Sequence, residues 1–136
     1  MKFLTFVNEE KGIVTVKAED ALSEYWREFV DLCRRYDVYS YDLWAKFEDK
    51  FGKQIQDMRG FSTCNVAAGE KFDFEVGFMI AKERYLKNFE TYRIHMYEMI
   101  QDKFDEIAET ARLRKLSCMQ RSVVREERLD SLIHHG

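Results

Sequence analysis

Proline is absent from the 136-residue chain. An average composition of about 5% would supply several prolines. A proline inside a helix interrupts it, because the ring removes a backbone donor and clashes with the preceding turn. The sequence therefore permits long helices without a break.

Cysteine is scarce as well. Cys33, Cys64 and Cys118 are odd in number and widely spaced, with no Cys-x-x-Cys pair. This pattern excludes a disulfide framework and a thiolate zinc site, and it fits a reducing cytoplasm. No apolar run approaches the roughly 18 residues of a membrane span, and the N-terminus turns polar too early for a signal peptide. We expect a cytoplasmic protein without a membrane segment, a metal or a cofactor.

The overall composition indicates one well-solvated globular domain covering residues 1–136. Charged residues make up 35% of the chain, hydrophobic residues 46% and aromatic residues 15%. The net charge of −3 is too small for an acidic DNA mimic and has the wrong sign for a general nucleic-acid binder. The composition therefore disfavours nucleic acid as a partner.

Three short segments have the character of strands. Residues 3–7 and 13–17 are rich in β-branched and aromatic side chains, and a turn containing Gly12 joins them, so they predict a β-hairpin. Residues 60–66 alternate well enough to predict a third strand. Residues 54–58 are interpreted as a short strand or turn.

Between the hairpin and the third strand, the apolar period changes to that of a helix. Apolar side chains repeat on one helix face over 19–36, and again over 40–52, where Ser40 is a candidate cap and Gly52 a candidate stop. Residues 19–52 therefore predict a helical hairpin inserted into the sheet.

The last half of the chain predicts a long helix. From residue 74 an apolar stripe at helical spacing runs to Ala111, and the helix is expected to end near Leu116. Ser117 and Gln120 form a candidate capping box for a last helix through Ile133; an unbroken helix is the alternative. The predicted fold is α+β: a small antiparallel sheet, the inserted helical hairpin, and a long helix or helix pair over 74–133.

The segment 64–84 has a recognisable order of residues. It predicts a strand end, a tight turn and a helix start, in which Asp73 caps the first free backbone N–H groups. Gly77 and Ala81 lie four residues apart and leave one helix face bare enough for close contact with a sheet or a ligand.

This segment, Cys64…Gly69-Glu70-Lys71-Phe72-Asp73…Gly77…Ala81-Lys82, resembles a unit of small phage and prophage proteins. The resemblance covers residues 60–90, with 3–17 as looser support. Residues 19–52 have no counterpart in the compact pattern, and the C-terminal helix is far longer. Relatives with this unit include the phage anti-Thoeris sponges, which bind cyclic-nucleotide immune signals without degrading them. The resemblance implies a ligand or partner site whose members are Lys71, Phe72, Asp73, Gly77, Lys82, Arg84 and Tyr85.

Charges are segregated along the predicted long helix. Residues 98–109 carry five acids and one base, whereas 112–128 carry six bases and two acids. Three interpretations stay open: a solvated helix whose late cations complement its own dipole, antiparallel pairing of two copies, and phosphate binding by arginine forks. The candidate basic patch comprises Arg112, Arg114, Lys115 and Arg121.

Two tyrosines lie in the predicted turn between the inserted helices. Tyr39 and Tyr41 are therefore candidate interface residues, whereas aromatic residues at helical spacing are more often core. A DNA-reading interpretation of the hairpin is disfavoured, because its second helix has a net negative charge.

Catalytic patterns are absent from the sequence: it has no Ser/Cys–His–acid set, phosphate-binding glycine loop or His/Asp/Glu metal spacing. We therefore expect no enzyme, but a homo-oligomeric phage counter-defence protein in the cytoplasm of an infected cell. It would inhibit a host antiviral system by binding, through sequestering a nucleotide signal or blocking a defence protein. The alternative is a general protein-interaction module that dimerises through its long helix, for example an inhibitor of a nuclease effector.

Overall fold

The computed structural model describes residues 1–36 and 41–135. Its sheet contains β1 (Phe3–Asn8), β2 (Ile13–Ala18) and β3 (Gly60–Thr63), antiparallel and in the order β1-β2-β3. The predicted α+β class and hairpin are confirmed. The third strand is shorter than predicted, because the side chain of Asn65 accepts a hydrogen bond from the Ala68 amide and starts a 3₁₀ turn there.

The β1–β2 turn is tied to the end of β3. Asn8 Oδ1 accepts a hydrogen bond from the Lys11 amide at 3.1 Å, and Gly12 adopts φ +68°. The Gly12 carbonyl in turn accepts from the Cys64 amide at 2.7 Å. A side chain at residue 12 would meet the Cys64 carbonyl at 2.3 Å, so the close approach requires glycine.

The inserted segment forms two helices, α1 (Ala21–Arg35) and α2 (Tyr41–Asp57). Asp20 caps α1 by accepting a hydrogen bond from the Ser23 amide. The helical hairpin between β2 and β3 is thereby confirmed. The predicted cap Ser40 lies outside the described residues.

The predicted stop at Gly52 is wrong, and so is the strand or turn at 54–58. Gly52 is buried within α2, which continues to Asp57. A Cβ at Gly52 would touch only the Glu48 side chain. Ile55 and Met58, which follow Gly52, are buried, and their burial stabilises the continued helix. Tertiary packing here overrides the helix-ending tendency of glycine.

The remaining element, α3 (Phe74–His135), is one helix, so the predicted end near Leu116 is wrong and the alternative of an unbroken helix is confirmed. Its first turns pack on the sheet, and its next turns pack on the helical hairpin. The Tyr25 and Phe89 rings stack with centroids 4.3 Å apart, and Tyr25 Oη donates to the Phe89 carbonyl at 2.7 Å. Phe51 stacks on His95 with centroids 5.0 Å apart.

The chain, predicted to be a single domain, divides into two compact units, Met1–Met99 and Ile100–Gly136. The first unit holds the hydrophobic core. Its largest fully buried side chains come from the sheet and all three helices: Val14, Val16, Tyr25, Phe47, Ile55, Tyr85 and Met96. In the second unit, the apolar stripe of α3 is exposed from Phe104 onward. In the described part of the chain, no helix is both long and apolar enough for a membrane crossing.

Candidate functional site

The turn between β3 and α3 satisfies its own polar groups. Glu70 Oε2 accepts a hydrogen bond from the Asn65 amide at 2.8 Å, and Gly69 adopts φ +88°. Asp73 Oδ1 accepts from the Val76 amide at 3.2 Å, which confirms the predicted cap. These contacts hold the strand-to-helix connection through the turn's own side chains.

The bare face of the helix start lies against the sheet. A Cβ at Gly77 would stand 2.9 Å from Val14 Cγ2, and Ala81 is fully buried. The facing strand is equally bare: a Cβ at Gly60 would stand 2.0 Å from the Ala81 carbonyl oxygen. Gly77 thus allows close packing on the sheet, one of the two roles predicted for it.

Two cations predicted to hold a ligand contact the protein itself. Arg84 Nη1 donates to the Phe61 carbonyl at 2.8 Å and so ties α3 to the β3 edge. Lys82 Nζ lies 5.2 Å from the Phe3 ring centroid, within cation–π range. Anion binding by either side chain would compete with these contacts.

The predicted role of Tyr85 in ligand binding is wrong. Its predicted role includes stacking on a base, yet its side chain is fully buried and packs edge-on against Phe3 at 5.8 Å between centroids. Burial raises the pKa of the Tyr85 phenol, and the Ala18 backbone partly opposes that shift. Tyr85 is a core residue because it lies one helical turn after Ala81, on the face that meets the sheet.

Lys71 and Phe72 complete the predicted set. Lys71 is exposed, and its carbonyl accepts a weak hydrogen bond from Cys64 Sγ at 3.6 Å. Phe72 is half-buried. Burial and the neighbouring Glu70 carboxylate raise the pKa of the Cys64 thiol, which disfavours a reactive thiolate.

The side of the sheet opposite α3, here called the outer face, carries apolar residues that the sequence analysis did not select. Phe6 and Phe61 are both paired with Thr15, so the two rings flank this threonine across three strands. Their exposed fractions are 56% and 49%, and Leu4 on the same face is 43% exposed. Adjacent strands are about 4.8 Å apart, so the backbones of the two phenylalanines lie about 10 Å apart on either side of Thr15.

Strand β1 adds an accessible backbone edge beside this face. Its residues are exposed from Leu4 to Asn8, and it pairs on one side only. The opposite edge, β3, receives the Arg84 side chain. An unprotected edge strand can accept a strand from another protein.

The predicted basic patch lies on exposed turns of α3. Arg112 makes a bidentate contact with Glu109 at 2.6 and 3.0 Å, and Arg121 Nη2 contacts Cys118 Sγ at 3.2 Å. Arg114 and Lys115 are exposed and make no ion pair with any described residue. These cations share one helix but form no enclosed anion site.

The candidate interface tyrosines are only partly described. Tyr41 is 58% exposed at the start of α2, in keeping with an interface role that remains a prediction. Tyr39 lies outside the described residues. Among the residues that the structure describes, no group of three or more His, Cys, Asp or Glu side chains is placed to hold a metal ion.

No protein-family model matches the chain, and neither does any curated protein or solved structure.

Proposed function

We propose that this protein is a non-catalytic counter-defence protein of the phage type, acting in the infected cell by binding and blocking a host defence protein. The assignment to counter-defence depends on the resemblance of segment 64–84 to small phage proteins. That segment folds as a strand, turn and helix start, in the order that the resemblance implies.

We favour a protein target over a nucleotide because of the contacts that the predicted ligand residues make within the protein. Tyr85 is buried, Arg84 holds the Phe61 carbonyl and Lys82 covers the Phe3 ring. Of the three cations predicted there, only Lys71 makes no such side-chain contact with the described residues. A nucleotide would need several anion contacts and a free stacking ring, so this turn is a poor nucleotide site.

The observation that carries the proposal is the exposed pair Phe6 and Phe61 on either side of Thr15. Apolar surface of this kind, gathered on one face, marks interaction sites in soluble proteins. Aromatic residues that become buried on association contribute disproportionately to binding energy. We infer that the partner inserts an apolar side chain between the two rings and covers Leu4.

The test is infection of bacterial strains that each carry one defence system, with and without this protein. The protein is expected to restore plaque formation in a strain whose defence protein it binds. The double variant F6T/F61T should lose that effect and weaken binding to the purified defence protein about tenfold or more. Threonine favours strands, so the sheet should remain folded.

The matched control is V7T, which changes an exposed residue of the same strand on its other face. It should behave like the unchanged protein. Equal loss in V7T and F6T/F61T, or no restored strain at all, would contradict the proposal. Tight uptake of a cyclic nucleotide in native mass spectrometry, abolished by K82E/R84E, would replace it with the sequestering mode.

A further inference from the structure

The exposed part of α3 presents two opposite faces, each of which changes character along its length. Residues three or four apart share a helix face, whereas residues two apart lie on opposite sides. The first face contains positions 104, 107, 111, 114, 118, 121 and 125. The second contains positions 102, 105, 109, 113, 116, 120 and 123.

The first face is apolar and then basic. It begins with Phe104, Ile107 and Ala111 and continues with Arg114, Arg121 and Arg125, with no acid at any of its positions. Ile107 is 52% exposed. Arg114 and Arg125 make no ion pair within the described chain.

The second face has the complementary order, acidic and then apolar. It begins with Asp102, Asp105 and Glu109 and continues with Leu113, Leu116 and Val123, without a base at any of its positions. Leu113 and Val123 are 53% and 55% exposed. Glu109 is paired with Arg112, but neither aspartate has an ion-pair partner among the described residues.

We propose that the first face of one copy packs antiparallel on the second face of another copy, with the two helices crossing near Arg114. In this arrangement the apolar parts meet each other, Arg121 and Arg125 meet the acids, and Arg114 lies at the crossing opposite Leu113. In an antiparallel pair, a residue before the crossing lies opposite the residue that follows the crossing by about the same distance in the second copy. Phe104 therefore lies near Val123 of the second copy, and Arg125 lies near its Asp102.

The other pairings fail on charge or solvation. A face paired with itself in parallel places like charges together, and in antiparallel orientation it places apolar residues against charged ones. The first face paired with the second in parallel also sets apolar residues against charges. The antiparallel match of unlike faces is therefore favoured over all of these.

This contact has a consequence for assembly size. Its two surfaces differ and lie on opposite sides of the helix, so one pair cannot satisfy both faces of both copies. Each pair keeps one first face and one second face free, and further copies add by the same contact. Association should therefore continue beyond a dimer as concentration rises.

The test uses two charge-reversed full-length variants, D102K/D105K and R121E/R125E. The first variant has two basic faces and the second has two acidic faces, so each should repel itself. We expect light scattering after size-exclusion chromatography to show association weakened about tenfold or more in each variant alone. An equimolar mixture should associate as the unchanged protein does, because every contact again joins opposite charges.

Matched controls change the same number of charges elsewhere. E9K/E10K and K46E/K53E alter exposed side chains of the first unit and should leave association unchanged, as should F6T/F61T. Circular dichroism checks helix content, since lysine and glutamate are both good helix formers. The contact is expected to weaken between about 50 mM and about 500 mM salt.

Four results would overturn the proposal: a monomer at all concentrations, association that ignores both reversals, a mixture that stays dissociated, or a discrete dimer that never grows. Because the outer-face variant F6T/F61T is measured in parallel, failure here can be told apart from failure of the proposed function.

Discussion

The two parts of α3 differ in what their apolar stripes contact. Before Ile100, the stripe of Ala81, Tyr85, Phe89 and Met96 is buried, each residue 3% exposed or less. After it, every large apolar residue of the helix is at least 43% exposed. Helix-forming residues and local ion pairs allow both parts to be helical, but burial needs another element, which the first unit supplies.

The largest effect should come from the same substitution made once in the first unit, at Phe47 of α2, and once in the second unit, at Phe104 of α3. Phe47 is 1% exposed and Phe104 is 43% exposed. F47A should reduce the free energy of unfolding by about 3–5 kcal/mol, whereas F104A should change it by about 0.5 kcal/mol or less. Chemical denaturation at a concentration where each protein is monomeric measures both. Equal losses would mean that the second unit is packed as tightly as the first.

The next effect tests the closest contact between α3 and the sheet. A methyl group at Gly60 would overlap the backbone of Ala81 and Tyr85, neither of which can move without separating strand and helix. G60A should therefore destabilise by about 3 kcal/mol. The control G52A adds the same methyl group in α2 against the flexible Glu48 side chain and should stabilise by about 0.5–1 kcal/mol. Thermal melting of both gives the comparison; stabilisation by G60A would contradict the close approach of β3 and α3.

A smaller effect belongs to the ion pair between α1 and α3. Glu28 accepts hydrogen bonds from Arg93, at 3.0 Å, and from Tyr97. Removing these contacts with E28A should cost about 1–2 kcal/mol. A matched removal of an exposed acid in the same helix, D31A, should have little effect, because the Asp31–Arg35 pair is solvated.

The same contact predicts a dependence on alkaline pH. Burial, followed by the hydrogen bond to Glu28, raises the pKa of Tyr97 from 10.0 to about 12. A raised pKa means that the neutral phenol is favoured in the folded state. Its contribution is complete below pH 10 and is lost as the pH rises through about 12. Ultraviolet titration of the tyrosines should show one of them shifting toward 10 in E28Q; an unchanged titration would remove Glu28 as a cause.

The smallest effect is expected for the exposed pair of the second unit. Arg112 and Glu109 make a short bidentate contact, yet both are open to solvent. The contact raises the pKa of the arginine and lowers that of the glutamate. R112Q should leave the melting temperature unchanged, because solvent screens such pairs. Hydrogen exchange should still be faster over 104–133 than over 81–97, and the reverse order would contradict the comparison.

Much of the fold was predictable because it depends on local patterns. β-branched residues on both sides of Gly12 predicted the hairpin, and the period of Tyr25 and Phe29 predicted α1. The predicted helix end at Gly52 was wrong, because only the burial of Gly52 in the folded chain shows that α2 continues through it. The unbroken course of α3 could not be chosen over two helices, because Ser117 is acceptable both as a cap and as a helix-interior residue.

The site was less predictable than the fold. Gly77 was given the correct alternatives, a sheet or a ligand, but only the structure identifies the sheet as its neighbour. Tyr85 was misassigned, because helical spacing alone does not tell which face meets the core. The outer face was missed because Phe6 and Phe61 alternate with other apolar residues, and their exposure depends on α3 covering the opposite side of the sheet.

The position of the helical hairpin between β2 and β3 also bears on the order of folding. β1 and β2 are joined by a tight turn, whereas β3 can pair with β2 only after the whole α1–α2 segment has returned the chain to the sheet. Closing a long loop costs less entropy once its interior is already folded. We therefore expect β3 to join the sheet after the rate-limiting step, with φ-values near zero at Ser62 and higher ones in the β1–β2 hairpin. High φ-values at Ser62 would instead place β3 in the folding nucleus.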